Sequence, residues 1–159
     1  GKMLSGDHDV ALKLAQKNSE LNPKNLNVLN VLYEIQINEK DWDGARKTLL
    51  KKQRIERLPR DIVSRKEAVL LFAEAKEKRL LGHTDQALML ARDAVRRAPS
   101  LVAAVCFVSE LEILDGKKAK AVKTLKLGWS AFQHPDIAEV FAAVEPGETS
   151  EQRFNRFKV

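Results

Sequence analysis

The residues that could do chemistry are few and scattered. His8, His83 and His134 are far apart, and none has a partner at i+4, the spacing that two metal ligands on one helix need. Each reads as a solvated turn residue, so no metal site is expected. The single cysteine, Cys106, sits in the apolar run Val102-Ala103-Ala104-Val105-Cys106-Phe107-Val108. That run offers no base or cation to lower a thiol's pKa, so a small core or groove residue is expected rather than a nucleophile. One cysteine also excludes an internal disulfide framework and fits a reducing compartment. Glu110 and Glu112 do not face each other on one helix, and both read as solvated or groove-lining carboxylates. Neither a Gly-x-Ser-x-Gly elbow nor a P-loop occurs. No catalytic residue and no cofactor are expected. Haem ligation is disfavoured because Cys106 precedes Phe107 rather than a proline, and no Cys-x-x-Cys-His occurs.

The balance of charge favours acidic partners. The formal net charge is +6 and the isoelectric point near 9.5, which leaves nucleic acid, an anionic membrane face and an acidic peptide open. Lys117, Lys118, Lys120, Lys123 and Lys126 first suggest a nucleic-acid patch. Ala121, Val122 and Leu125 form the apolar stripe of the same helix, so the lysines read as its solvated outer face. Single-strand binding would interleave aromatics with the cations, and this face has none.

The elements that position these residues are set by a repeat. Gly6-Asp7-His8-Asp9-Val10-Ala11-Leu12 aligns with Gly82-His83-Thr84-Asp85-Gln86-Ala87-Leu88 and with Gly116-Lys117-Lys118-Ala119-Lys120-Ala121-Val122. Ala87 and Ala121 are 34 residues apart, as are Ala11 and Ala45, where Lys40 stands in the glycine place. Pro23 and Pro99 each follow the repeat alanine by twelve residues. This spacing resembles the tetratricopeptide repeat over residues 6–133. The glycine, or its substitute, marks an inter-helix turn with positive φ. The alanine marks a close helix crossing, and the proline ends the second helix. Seven glycines and five prolines in 159 residues are too few for the turns of an all-β fold.

The implied fold is all-α, a right-handed tetratricopeptide-repeat α-solenoid of helix-turn-helix pairs. First helices are expected at 25–38, 64–81 and 101–114, second helices at 8–21, 42–56, 84–97 and 117–131. The domain layout is a half repeat at 6–25, full repeats at about 26–59, 68–101 and 102–133, then a closing helix and a short C-terminal helix in 134–159. The lone second helix at the start implies a chain cut from a longer protein. Asn25 and Ser100 are candidate helix caps, and Ser64-x-x-Glu67 reads as a capping box. Ala45 to Ala87 is 42 residues, so an insertion of eight falls near 53–63 and lengthens a helix or its loop. No apolar run approaches the roughly 20 residues that span a bilayer, and the first residues do not read as a signal peptide.

The tail carries a second resemblance. Asp136 can cap a closing helix that Pro146-Gly147 stops, with another short helix from Ser150 to Phe157. Gly128-Trp129-Ser130-Ala131-Phe132, His134-Pro135-Asp136-Ile137-Ala138, Pro146-Gly147-Glu148-Thr149-Ser150 and Arg153-Phe154 resemble the HemY family of proteobacterial tetratricopeptide proteins. That resemblance implies a soluble cytoplasmic part of an inner-membrane protein associated with haem biosynthesis, anchored by N-terminal helices absent from this chain. No Gly-x-Gly-x-x-Gly occurs, so dinucleotide-dependent oxidase chemistry is not implied.

In tetratricopeptide arrays the first helices line a concave groove. Register places Asn27, Asn30, Glu34 and Asn38 there, then Val69, Phe72, Lys76 and Arg79, then Ala103, Cys106, Glu110 and Ile113. Asparagines can pair with a peptide backbone. Phe72 and Val69 at such positions are expected to be exposed apolar anchors, beside cations suited to a carboxylate. The expected role is a protein-interaction scaffold, not an enzyme, with a protein or peptide partner. An RNA-binding helical repeat and a haem- or porphyrin-handling protein are the alternatives.

Overall fold

The computed structural model describes residues 5–144. The expected stop at Pro146-Gly147 and the short helix at 150–157 lie outside the described residues, as does the side chain of His8. The described residues form eight helices and no strand: α1 Ser5–Leu21, α2 Leu26–Asn38, α3 Trp42–Glu56, α4 Arg60–Leu80, α5 Thr84–Arg97, α6 Val102–Leu114, α7 Lys118–Ala131 and α8 Pro135–Val144. None of them is long and apolar enough to cross a membrane. The chain divides into two compact units, Gly1–Leu70 and Leu71–Val159, with the division inside α4.

The turns between α2 and α3, α4 and α5, and α6 and α7 close in one way. Lys40, Gly82 and Gly116 have φ of 58°, 84° and 75°. The next amide in each turn reaches back five residues, from Asp41 to the Gln36 carbonyl (2.8 Å), His83 to Lys78 (2.9 Å) and Lys117 to Glu112 (2.8 Å). This pairing satisfies carbonyls that the ended helix leaves open and requires a left-handed residue. Glycine takes that conformation without a Cβ penalty, whereas Lys40 takes it with one. Gly6 departs from the expected pattern, because it lies inside the first turn of α1.

In the first unit, Ala45 and Leu49 of α3 pack with Leu70 of α4, and Tyr33, Ile37 and Trp42 close around them. Asn25 caps α2 by accepting from the amides of Asn27 and Val28. Buried Thr48 donates to the side-chain carbonyl of buried Gln36 at 2.7 Å.

The inserted residues lengthen a helix. α4 has 21 residues, whereas α2 and α6 have 13 each. The helix therefore starts at Arg60, after Arg57 (φ 55°) and Pro59, and not at Ser64. Ser64 and Glu67 are interior residues and make no capping box; Glu67 is buried. Val63 and Ala68, 4% and 0% exposed, bury the apolar face of the added turns.

The second unit packs α6 against α5, α7 and α8, and α7 against α8. Ala87 and Ala121 are wholly buried, as the crossing requires, and so is Ala45 in the first unit. Gly128 brings α7 against α6 so closely that an added Cβ would lie 2.6 Å from a Val105 methyl. Ile137 and Phe141 of α8 are fully buried, each stabilising by roughly 1.5–3 kcal/mol. Two expected caps are replaced. Leu101 occupies the cap position of α6, in place of Ser100, and has no side-chain cap bond. At α8, His134 Nδ1 accepts the Asp136 amide at 3.1 Å, so the histidine caps and Asp136 sits in the first turn.

Candidate partner-binding site

The distal half of α4 presents Phe72, Lys76 and Arg79 at i, i+4 and i+7, one stripe of a helix. Phe72 stands edge-on to Phe107 of α6, with centroids 5.3 Å apart and planes at 84°. That is a favoured quadrupolar arrangement. The Lys76 ammonium lies 4.8 Å from the Phe72 centroid, and the Arg79 guanidinium 5.3 Å from that of Phe107. Two cations thus cover an aromatic pair. Phe72 is half-buried rather than exposed, packed against Phe107.

Next to this pair is a recess of about 320 Å³ lined by Arg79, Glu110, Ile113 and Leu114, with Val140 and Ala143 of α8. Exposed Glu110 adds a carboxylate to the same lining as Arg79. Cys106, half-buried, lies one turn before Glu110. Burial, and secondarily the carboxylates of Glu110 and Asp136, push its thiol up to about 11. It is therefore a neutral thiol at physiological pH. Ala103 is exposed and Ile113 half-buried on the same helix.

The remaining expected site residues belong to the first unit. Asn27, Glu34 and Asn38 are exposed on α2, and Asn30 is half-buried. Val69 of α4 is 48% exposed. On α2, Tyr33 also receives the Lys52 ammonium at 4.6 Å from its ring.

Two residues depart from their expected or unassigned status. Glu112 is not a solvated carboxylate: it is 2% exposed. Its oxygens take Arg92 of α5 at 3.2 Å and the Thr124 hydroxyl of α7 at 2.8 Å. Phe107 was hidden by its place in a continuous apolar run. Glu112 had a signal, because Gln36 holds the same place in its repeat and each has a threonine twelve residues on. His83 is exposed at the start of α5. Among the described residues no group of three His, Cys, Asp or Glu could hold a metal.

No family model and no curated protein matches the chain. Solved structures do align with it. A crystal structure of MamA is 15% identical, covers 96% of this chain and 86% of its own, and has a TM-score of 0.47. A second MamA structure has the same identity and TM-score, with 79% of its own chain covered. TTC0263, a thermophilic TPR protein of Thermus thermophilus, is 25% identical over 96% of this chain and 78% of its own, with a TM-score of 0.37. The chain's own helices, the shared turn closure and the buried alanines at period 34 make the fold all-α and tetratricopeptide-like.

Proposed function

We propose that the chain is a protein-interaction scaffold and that its second unit grips a peptide segment with the Phe72–Phe107 face. One observation carries this reading: an aromatic pair covered by Lys76 and Arg79, next to an apolar recess. An apolar side chain of the partner fits the recess, and its carboxylate fits the two cations. Glu110 selects against a second acidic group at the recess edge. Asn27, Asn30, Glu34, Asn38 and Val69 are proposed as a further contact set on the first unit.

The finer setting rests on the HemY-like tail motifs. In that reading the chain is the repeat part of an inner-membrane-anchored protein associated with haem biosynthesis, facing the cytoplasm. Fractionation of the full-length protein tests the anchor.

The partner site is tested by selecting displayed random nonapeptides on the chain and on its Lys76→Glu/Arg79→Glu double variant. The expected result is enrichment of peptides that combine an apolar residue with a nearby carboxylate, lost on the double variant. Enrichment that is unchanged on the variant, or none on the parent, rejects the site.

A further inference from the structure

The opposite pair of helices in the second unit carries a second surface. α5 and α7 flank a groove of about 650 Å³. Its apolar lining comes from Val95 and Pro99 on one side, Leu127 on the other and Val108 of α6. The lining runs from Lys123 to Ser130, about 10 Å along α7 at 1.5 Å per residue, and faces Arg92, Val95 and Arg96 of α5 and Pro99 just past its end.

The charge around this groove is one-sided. Arg92, Arg96, Lys123 and Lys126 line it, and among the described residues no carboxylate does. Arg92 is engaged by Glu112, and Arg96 by Asp93. Among the described residues, no carboxylate pairs with Lys123 or Lys126. The uncompensated charge therefore lies on the α7 wall, beside Leu127, which is 48% exposed. Glu112 also holds the groove in shape, because Arg92 on one wall and Thr124 on the other bind the same buried carboxylate.

We propose that this groove docks an acidic amphipathic helix of a partner protein. A third helix is the natural complement to a furrow between two helices, since its side-chain ridge seats between theirs. Two turns of groove accept apolar residues at i, i+3 or i+4 and i+7. Glutamates or aspartates flanking that stripe meet Lys123 and Lys126. This site is separate from the Phe72–Phe107 face and stands or falls independently of it.

The probe is a fluorescein-labelled 14-residue helical peptide with leucines at i, i+4 and i+7 and glutamates on either side. A control peptide has the same composition with the leucine spacing scrambled. Anisotropy titrations use the parent chain, Lys123→Glu/Lys126→Glu and Leu127→Ser, with circular dichroism confirming that each variant is helical. Saturable binding is expected, at least tenfold weaker for the scrambled peptide and for each variant, and unaffected by Lys76→Glu/Arg79→Glu. Equal binding of the two peptides would mean charge attraction alone and would overturn the proposal. So would indifference to Lys123→Glu/Lys126→Glu and Leu127→Ser. Flotation with phosphatidylglycerol vesicles, dependent on the same lysines and without peptide binding, would overturn it in favour of a lipid surface.

Discussion

Glu112 and Gln36 occupy one repeat position in two units, and each accepts the hydroxyl of the threonine twelve residues later, Thr124 at 2.8 Å and Thr48 at 2.7 Å. The amide of Gln36 satisfies its threonine without charge. Glu112 adds a charge that Arg92 must balance. A buried ion pair contributes little net stability, because desolvation offsets its Coulomb gain. Glu112→Gln is therefore expected to keep the Thr124 bond and change stability by less than about 1 kcal/mol, since the partly exposed Arg92 can be hydrated. Glu112→Ala removes both bonds and leaves a void, at a cost of roughly 2–4 kcal/mol. Urea denaturation of the two variants checks the difference, and equal losses would contradict this account of the pair.

Lys40 puts a side chain in the left-handed region at the turn between α2 and α3, where Gly82 and Gly116 serve the equivalent turns. Lys40→Gly is expected to stabilise by up to about 1 kcal/mol, the relief of the Cβ clash less the entropy glycine adds to the unfolded chain. Gly116→Ala should lose a similar amount. Thermal melts of both variants measure the signs, which must be opposite.

Ala87 and Ala121 have no exposed surface. Ala87→Leu and Ala121→Leu are each expected to destabilise by roughly 1–3 kcal/mol through overpacking. Melting temperatures at the parent value for both would mean that these helices cross elsewhere.

The period, the crossing alanines and the turns at Gly82 and Gly116 were legible in the sequence because each depends on a missing or minimal side chain. Such a requirement leaves its mark at one position. Lys40, by contrast, closes its turn with a full side chain, and Gly6 falls inside α1. The start of α4 was not legible. Ser64-x-x-Glu67 imitates a local helix start, yet burial of Val63 and Ala68 extends the helix to Arg60. Tertiary packing overrides a capping signal of about 1 kcal/mol. The burial of Glu112 left only the indirect mark of the threonine twelve residues on, shared with Gln36, while its charge partner Arg92 lies twenty residues away on another helix. The spacing puts Phe72 on a helix, but its contact with Phe107 depends on side-chain packing that register alone does not specify.

The thiol of Cys106 gives a pH signature. Its folded pKa is raised from 9.0 to about 11, chiefly by burial. The folded state therefore holds the proton more tightly than the unfolded one. This contribution to stability is fully present below pH 9 and is lost as pH rises from 9 towards 11. Iodoacetamide should label folded Cys106 more slowly at pH 8 than the urea-unfolded chain, and Cys106→Ser should flatten the stability profile between pH 9 and 11. Equal labelling rates would mean that the thiol is open to solvent.

Phe72 and Lys76 separate structure from recognition at the proposed partner site. Phe72 is half-buried against Phe107 and lies under the Lys76 ammonium. Phe72→Ala removes the edge-to-face contact, worth about 0.5–1.5 kcal/mol beyond area, and the partial burial of the ring. A total loss of roughly 2–3 kcal/mol of stability is expected. Lys76 is exposed, and its contact with an aromatic at a wet site contributes about 0.5–1 kcal/mol. Lys76→Glu should therefore leave the melting temperature within a few degrees of the parent. It should weaken a carboxylate-bearing selected peptide by about tenfold or more, because the cation is reversed where the ligand charge sits. Denaturation and peptide titration on both variants decide the matter. A Lys76→Glu chain that melts early yet binds normally would make the cation–aromatic stack a structural clasp, and the recognition site would then lie elsewhere.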